Sequence, residues 1–173
     1  MTGRELGLTQ IYWGDGKGKT TAALGTALRS INHKYKVHLV QFMKNSPTGE
    51  LDTLSNFYNF SYKQFGTGQL IKKPSKKDKL KAKEAFNHLK SALKKDYDII
   101  IADEILYAIQ FNILKEYQVI KLLKSKPENK ELILTGSHIP FPKLFALADL
   151  VSEIKKEKHP YDQGIQARKG IEY

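Results

Sequence analysis

The stretch Ile11 to Gly25, Ile-Tyr-Trp-Gly-Asp-Gly-Lys-Gly-Lys-Thr-Thr-Ala-Ala-Leu-Gly, decides the fold. Leu8, Ile11, Tyr12 and Trp13 supply the apolar side chains of a short strand. Gly14, Gly16 and Gly18 interrupt regular structure, and Lys19 opens a run of helix formers containing Ala22, Ala23 and Leu24. Strand, loop and helix N-terminus together make a phosphate cradle. Glycines permit backbone turns that a side chain would block, so successive N–H groups converge on one anion. The positive end of the helix dipole points at the same place. Lys19 adds a full charge beside bound phosphate, and the Thr20 hydroxyl suits a magnesium ion. The general phosphate-loop pattern places a further glycine five residues before Gly18, where this chain has Trp13. A plainer alternative is a glycine-rich turn opening a helix whose lysines face water. It leaves Gly-Lys-Thr-Thr after an apolar strand to coincidence.

Working outward, Tyr97 to Glu104 (Tyr-Asp-Ile-Ile-Ile-Ala-Asp-Glu) is the second informative stretch. An unbroken apolar run over Ile99, Ile100, Ile101 and Ala102 fits a central parallel strand covered on both faces. Two carboxylates follow at once, and burying them there costs several kcal/mol unless a cation compensates. Magnesium on a nucleotide phosphate is the natural partner for Asp103 or Glu104. The competing assignment makes one of the two a cap for the next helix.

The rest of the chain alternates strands and helices. Tyr35–Phe42, Phe60–Phe65, Glu131–Thr135 and Leu150–Ile154 read as strands. Leu106–Phe111, Glu116–Lys124 and Phe141–Leu147 read as helices, and Met43–Gly49 as a loop. Gln41, Lys44 and Asn45 follow the carboxyl end of a strand, where α/β sheets place ligands. His138 is a candidate substrate contact or a bystander. One α/β domain spanning residues 1–173 is expected, phosphate-loop NTPase-like and RecA-like, with a mostly parallel central sheet and helices on both faces. The polar, glycine-containing tail, residues 158–173, reads as an ordered extended arm, with the site as one place for it to fold over.

Formal net charge is +11, of which +8 lies between Lys72 and Lys95. Leu80, Ala82, Ala85, Phe86, Leu89, Ala92 and Leu93 recur there at helical spacing, so the segment is an amphipathic helix with a lysine-covered outer face and Ser75 as its N-cap. A face of this kind is solvated, or it attracts a polyanion. The chain has only three arginines, Arg4, Arg29 and Arg168, which argues against nucleic acid. It has no cysteine, so thiolate metal sites, disulfides and cysteine nucleophiles are excluded. No apolar stretch approaches the ~18 residues of a membrane span, and a cytoplasmic location is the expectation.

Several motifs, in order, carry a family resemblance. They are Gly14-Asp15-Gly16-Lys17-Gly18-Lys19-Thr20-Thr21, Val40-Gln41-Phe42-Met43-Lys44, Asp103-Glu104, Leu134-Thr135-Gly136, Ala148-Asp149-Leu150-Val151 and the tail Lys158 to Tyr173. Together they resemble ATP:corrinoid adenosyltransferases of the CobA/BtuR type, whose loop also lacks the first glycine. The resemblance implies attack of a cobalt(I) corrinoid on the 5′ carbon of ATP with release of triphosphate. It implies ATP contacts from Gly14, Asp15, Gly16, Lys17, Gly18, Lys19, Thr20, Thr21 and Arg29. Magnesium would be held by Thr20, Asp103 and Glu104, with Lys19 and Glu104 as the catalytic pair. It further implies a homodimer, an electron donor such as a flavoprotein, and no membrane partner. Family members carry a phenylalanine and, two places later, a tryptophan after the glycines at Gly66 and Gly68. Here those positions are Gln69 and Ile71, which with Phe65 form the candidate corrinoid contacts. The family arginine after the Thr-Gly of the late strand is Ser137. Two further readings remain open on the residues alone: a non-catalytic MgATP-binding homologue, and an ATPase acting on nucleic acid.

Overall fold

The computed structural model describes residues 6–46, 48–68 and 73–172. Six strands form one sheet: β1 (Thr9–Trp13), β2 (Val37–Phe42), β3 (Phe60–Phe65), β4 (Ile99–Asp103), β5 (Glu131–Thr135) and β6 (Leu150–Glu153). Their order is β3-β2-β4-β5-β1-β6, and every pairing is parallel. The expected mostly parallel sheet is therefore wholly parallel. β5 lies between the loop strand β1 and the acidic strand β4, so the two motifs face one another across it.

The helices are α1 (Lys19–Asn32), α2 (Gly49–Leu54), α3 (Lys76–Ala92), α4 (Ile105–Gln110), α5 (Glu116–Lys124) and α6 (Pro142–Phe145). They divide between the two faces as the alternation along each strand dictates. Leu39, Ile99, Ile101 and Ile133 pack under α1 and α2 with Ala23, Ala27 and Leu51. Val40, Ile100, Ala102, Leu132 and Leu134 face α3 to α6 with Ala85, Leu89, Leu106 and Leu144. Coverage on both sides explains why the Ile99–Ala102 run has no polar alternation.

Three expectations need adjusting. The segment read as a loop ends in α2, whose Leu51 and Leu54 seal the edge of the core. The last helix is a single turn, four residues long. α3 starts where expected: Ser75 accepts from Asp78 N while the Asp78 carboxylate accepts from Ser75 N, a reciprocal cap. The arm contains a short 3-10 turn at Pro160–Gln163 and then folds back to the phosphate loop, so it is not extended throughout. Among the described residues no helix is long and apolar enough to cross a membrane.

Candidate functional site

The carboxyl edge of the sheet is where the backbone departs most from ordinary conformation. Gly14 after β1 has φ 115°, Met43 after β2 has 58°, Glu104 after β4 has 66°, and Gly136 and Ser137 after β5 have 117° and 66°. Three of these are not glycine, and left-handed backbone at such residues costs about 1–2 kcal/mol each. Strain of this kind concentrates where side chains must be aimed.

The phosphate loop is clasped from outside. Gly14 N donates to Ser137 O at 3.0 Å, and Gly16 N donates to Ile154 O at 2.8 Å. A Cβ on Gly14 would sit 2.3 Å from Ile154 O, which explains the glycine there. Trp13, at the place of the missing glycine, packs on Phe145 with ring centroids 5.2 Å apart. Gly18 is the N-cap of α1 with φ 119°, and no side chain caps that helix, so its first N–H groups point to the cavity in front. The buried Lys19 Nζ donates to Gly14 O and Gly16 O, each at 2.7 Å. Burial lowers its pKa, an effect partly opposed by Glu104, Asp15 and Asp103.

Asp103 and Glu104 are adjacent but differently employed. Asp103 is fully buried. Its Oδ1 accepts from Thr20 Oγ1 at 2.8 Å and Thr135 Oγ1 at 2.6 Å. Its Oδ2 accepts from Gln41 Nε2 at 2.9 Å and Lys44 Nζ at 3.0 Å. Burial works against the charge, yet Lys44 and the two hydroxyls hold the carboxyl below the usual range. Glu104 occupies the N-cap position of α4 but makes no side-chain cap bond. Its carboxylate faces the cavity, with Lys44 at 3.7 Å. Burial and the neighbouring Asp103 push its pKa up to about 7.

In front of the loop lies a cavity of about 830 Å³, lined among others by Gly16 to Thr21, Lys44, Glu104 and Tyr107. Leu24 and Leu28 of α1, Thr48 to Glu50, and Gly170 to Glu172 of the arm complete its wall.

Of the residues singled out in the sequence, Gly16, Lys17, Gly18, Lys19, Thr20, Thr21, Lys44 and Glu104 line one cavity. Asp103 joins them through Thr20, and Gly14 through Lys19. Asp15 turns outward and accepts from Lys156 N at 3.0 Å. Arg29 is exposed in the last turn of α1, one residue beyond Leu28, and does not line the cavity. Phe65 belongs to the core, buried against the His88 ring. Gln69 and Ile71 lie outside the described residues. His138 stands edge-on to Tyr107 at 5.1 Å. Sequence reasoning gave no separate role to Thr135, which ties β4 to β5 by donating to Asp103 and accepting from Glu104 N. It also missed Tyr107. The signal for Thr135 was a hydroxyl closing the apolar run of Leu132, Ile133 and Leu134.

The fold is shared with ATPase domains. EssC ATPases 2 and 3 from Geobacillus thermodenitrificans superpose with a TM-score of 0.54 at 13% identity, over 97% of this chain and 36% of that one. The cytoplasmic domain of EssC gives 0.53 at 14% identity, over 94% and 34%. The chain thus spans about a third of either structure. Sequence comparison goes further. The corrinoid adenosyltransferase of Escherichia coli K12 is 34% identical over 98% of this chain and 87% of its own length. Corrinoid adenosyltransferase CobA of Salmonella typhimurium LT2 is 33% identical over the same shares. The family profile for ATP:corrinoid adenosyltransferase BtuR/CobO/CobP matches residues 5–173. The phosphate loop and carboxylate pair assembled on this sheet therefore belong to a member of the ATP:corrinoid adenosyltransferase family, a family of transferases.

Proposed function

We propose that the chain transfers the 5′-deoxyadenosyl group of ATP to the cobalt(I) of a corrinoid, in adenosylcobalamin biosynthesis or salvage. In this reaction a cobalt–carbon bond forms at the 5′ carbon. The carbon–oxygen bond breaks, and its electron pair leaves on an intact triphosphate. The cobalt supplies the nucleophile, so the protein's task is position and charge. The observation that carries the reading is the convergence of Lys19, Thr20, Lys44 and Glu104 on one cavity at the uncapped N-terminus of α1. Lys19, Lys44 and the helix N-terminus would offset the charge of a departing polyphosphate, and Thr20 and Glu104 would offer oxygens to the cation it carries.

The donor set also fits magnesium. Thr20 spends its proton on Asp103, which leaves its oxygen lone pairs available. The four donors on Asp103 leave it little room to accept more, whereas Glu104 faces the cavity with Lys44 at 3.7 Å. Among the described residues no three His, Cys, Asp or Glu side chains converge. That suits a magnesium ion brought by nucleotide, which takes one or two protein carboxylates and completes its shell with phosphate and water. Thr20 and Glu104 would hold it, with Asp103 orienting Thr20, and its chemistry would be charge neutralisation on the leaving group. A homodimer in the cytoplasm, fed by an electron donor such as a flavoprotein, completes the proposal on the strength of the family resemblance.

The test is an anaerobic assay with MgATP and chemically reduced cobalamin, following the visible spectrum. Loss of cobalt(I) with a light-sensitive cobalt–carbon product, and triphosphate in equal amount, is the expected result. ATP binding without product under any reductant would select the non-catalytic alternative. Orthophosphate release stimulated by polynucleotide would select the ATPase.

A further inference from the structure

The segment after β6 and the arm hold the phosphate loop through three kinds of contact. Gly16 N donates to Ile154 O, and Lys156 N donates to Asp15. Lys17 Nζ donates to Glu172 Oε1 at 2.9 Å and to Ile171 O at 3.3 Å. The first two involve backbone and shape the loop. The third is a charge pair between side chains that are 45% and 20% exposed.

Glu172 is built to stay ionised. Arg168 donates to its Oε2 from the backbone N at 2.7 Å and from Nε at 3.2 Å, and to Oε1 from Nη2 at 3.0 Å. With Lys17 these donors hold the carboxyl far below its usual range, at about 2. Lys17 and Glu172 both line the cavity in front of the loop. A carboxylate therefore sits on a loop lysine at the rim of an anion site, where it competes for the cation that a polyphosphate would claim.

We propose that Glu172 is a positioning residue acting through Lys17: it holds Lys17 until a polyphosphate engages that lysine, and reclaims it as the polyphosphate leaves. The proposal rests on the polyphosphate reading of the cavity given above. The physical basis is an exchange of partners. A solvent-exposed lysine–carboxylate pair is weak and breaks readily. A polyphosphate offers the same lysine several charge-assisted bonds and takes it. Because Arg168 keeps the carboxylate close by, the reverse exchange has a high effective concentration, so departure of a highly charged product is accelerated.

The test uses tripolyphosphate with magnesium as probe. Calorimetry gives affinity, and stopped-flow fluorescence of Trp13, the chain's single tryptophan and the residue before Gly14, gives rates. Glu172→Gln is expected to bind tripolyphosphate about threefold to fivefold more tightly, the size of a lost exposed ion pair, with the change in the dissociation rate. In the Lys17→Met background the same substitution is expected to do nothing. Equal or weaker binding by Glu172→Gln, or a gain that persists without Lys17, overturns the proposal, since a purely structural arm gives either result. Wild-type protein that binds no tripolyphosphate overturns the polyphosphate reading itself, and this proposal with it. Wild-type binding with no Glu172 effect overturns only the role of the arm.

Discussion

Two lysine–carboxylate pairs flank the phosphate loop at almost the same distance, Lys44–Asp103 at 3.0 Å and Lys17–Glu172 at 2.9 Å. Their surroundings make them opposites. Asp103 is wholly removed from water and takes donors from α1, β2, the segment after β2, and β5. In that setting the pair is part of the architecture, because removing one member strands several buried donors. Lys17 and Glu172 keep partial access to solvent, where attraction is screened and partners change more easily. Distance and donor count alone say nothing about the role of an ion pair, since each carboxylate accepts from four donor atoms; burial, and how many separate elements the donors tie together, decide it.

The hardest way to break this contrast is Asp103→Ala. It orphans the Gln41 amide and the Thr135 hydroxyl, both fully buried, and leaves Lys44 without its main counter-charge. A loss of about 3–5 kcal/mol is expected from urea unfolding, together with failure to bind nucleotide. A loss below about 1 kcal/mol would mean the pair is as dispensable as the exposed one.

Glu104→Ala separates the two acids from each other. Glu104 faces the cavity and accepts no structural hydrogen bond of the kind that fills Asp103, so stability is expected to change little. Turnover and magnesium dependence are expected to fall about 10–100-fold, while nucleotide binding measured without metal is kept. Unchanged turnover removes Glu104 from the metal site.

Much of this arrangement was legible in the chain because each piece has a local signature. Gly-Lys-Thr after a strand and an apolar run ending in Asp-Glu are one-dimensional patterns, and Gln41 and Lys44 follow from the rule that ligands lie at strand ends. What was not legible is long-range. Thr135 looks like the last residue of a strand until β5 is placed between β1 and β4, where its hydroxyl reaches Asp103 32 positions away in sequence. Glu172 is unremarkable until the arm folds back to Lys17, 155 positions away. Phe65 was drawn toward the corrinoid by its place before two glycines, but the pleat turns it into the core beside Phe86 and His88. α2 was hidden because Gly49 and Pro47 announce a turn, and only Leu51 and Leu54 needed burial.

The opposite edge of the sheet gives the same lesson with the sign reversed. His38, the second residue of β2, is 4% exposed; its Nε2 lies 2.9 Å from His88 Nε2 and its ring stacks on Tyr97. Asp103 is buried with a cation beside it, whereas His38 is buried with His88, Lys95 and Lys63 near it. Burial first, and then those neighbours, lower its pKa from 6.5 to about 4. The unfolded chain then binds the proton more readily than the folded one between those values. The share of stability that His38 carries is full above pH 6.5 and falls as pH drops toward 4, by about 2 kcal/mol at pH 5, while Glu104, raised to about 7, acts in the opposite sense over the same window. Urea midpoints of wild type and His38→Gln at pH 7.5 and 5 check this: the stability change between the two pH values is expected to be more favourable in His38→Gln by about 2 kcal/mol. The same pH response in both proteins would assign the dependence to other groups.

The smallest expected effect sharpens the contrast most. Glu172→Gln is expected to lower the urea midpoint far less than Asp103→Ala does, because the Lys17–Glu172 pair is partly exposed and screened and the segment after β6 keeps its contacts to the loop at Ile154 and Lys156. The same substitution in the arm is expected to tighten tripolyphosphate binding, whereas Asp103→Ala is expected to lower stability strongly and to abolish nucleotide binding. A stability loss in Glu172→Gln comparable to that of Asp103→Ala would show that the arm is a structural clasp. The two pairs would then share one role despite their exposure. A far smaller midpoint shift with altered polyphosphate affinity places the difference where the burial does: a fixed pair that builds the loop, and an exchangeable pair that answers to what the loop holds.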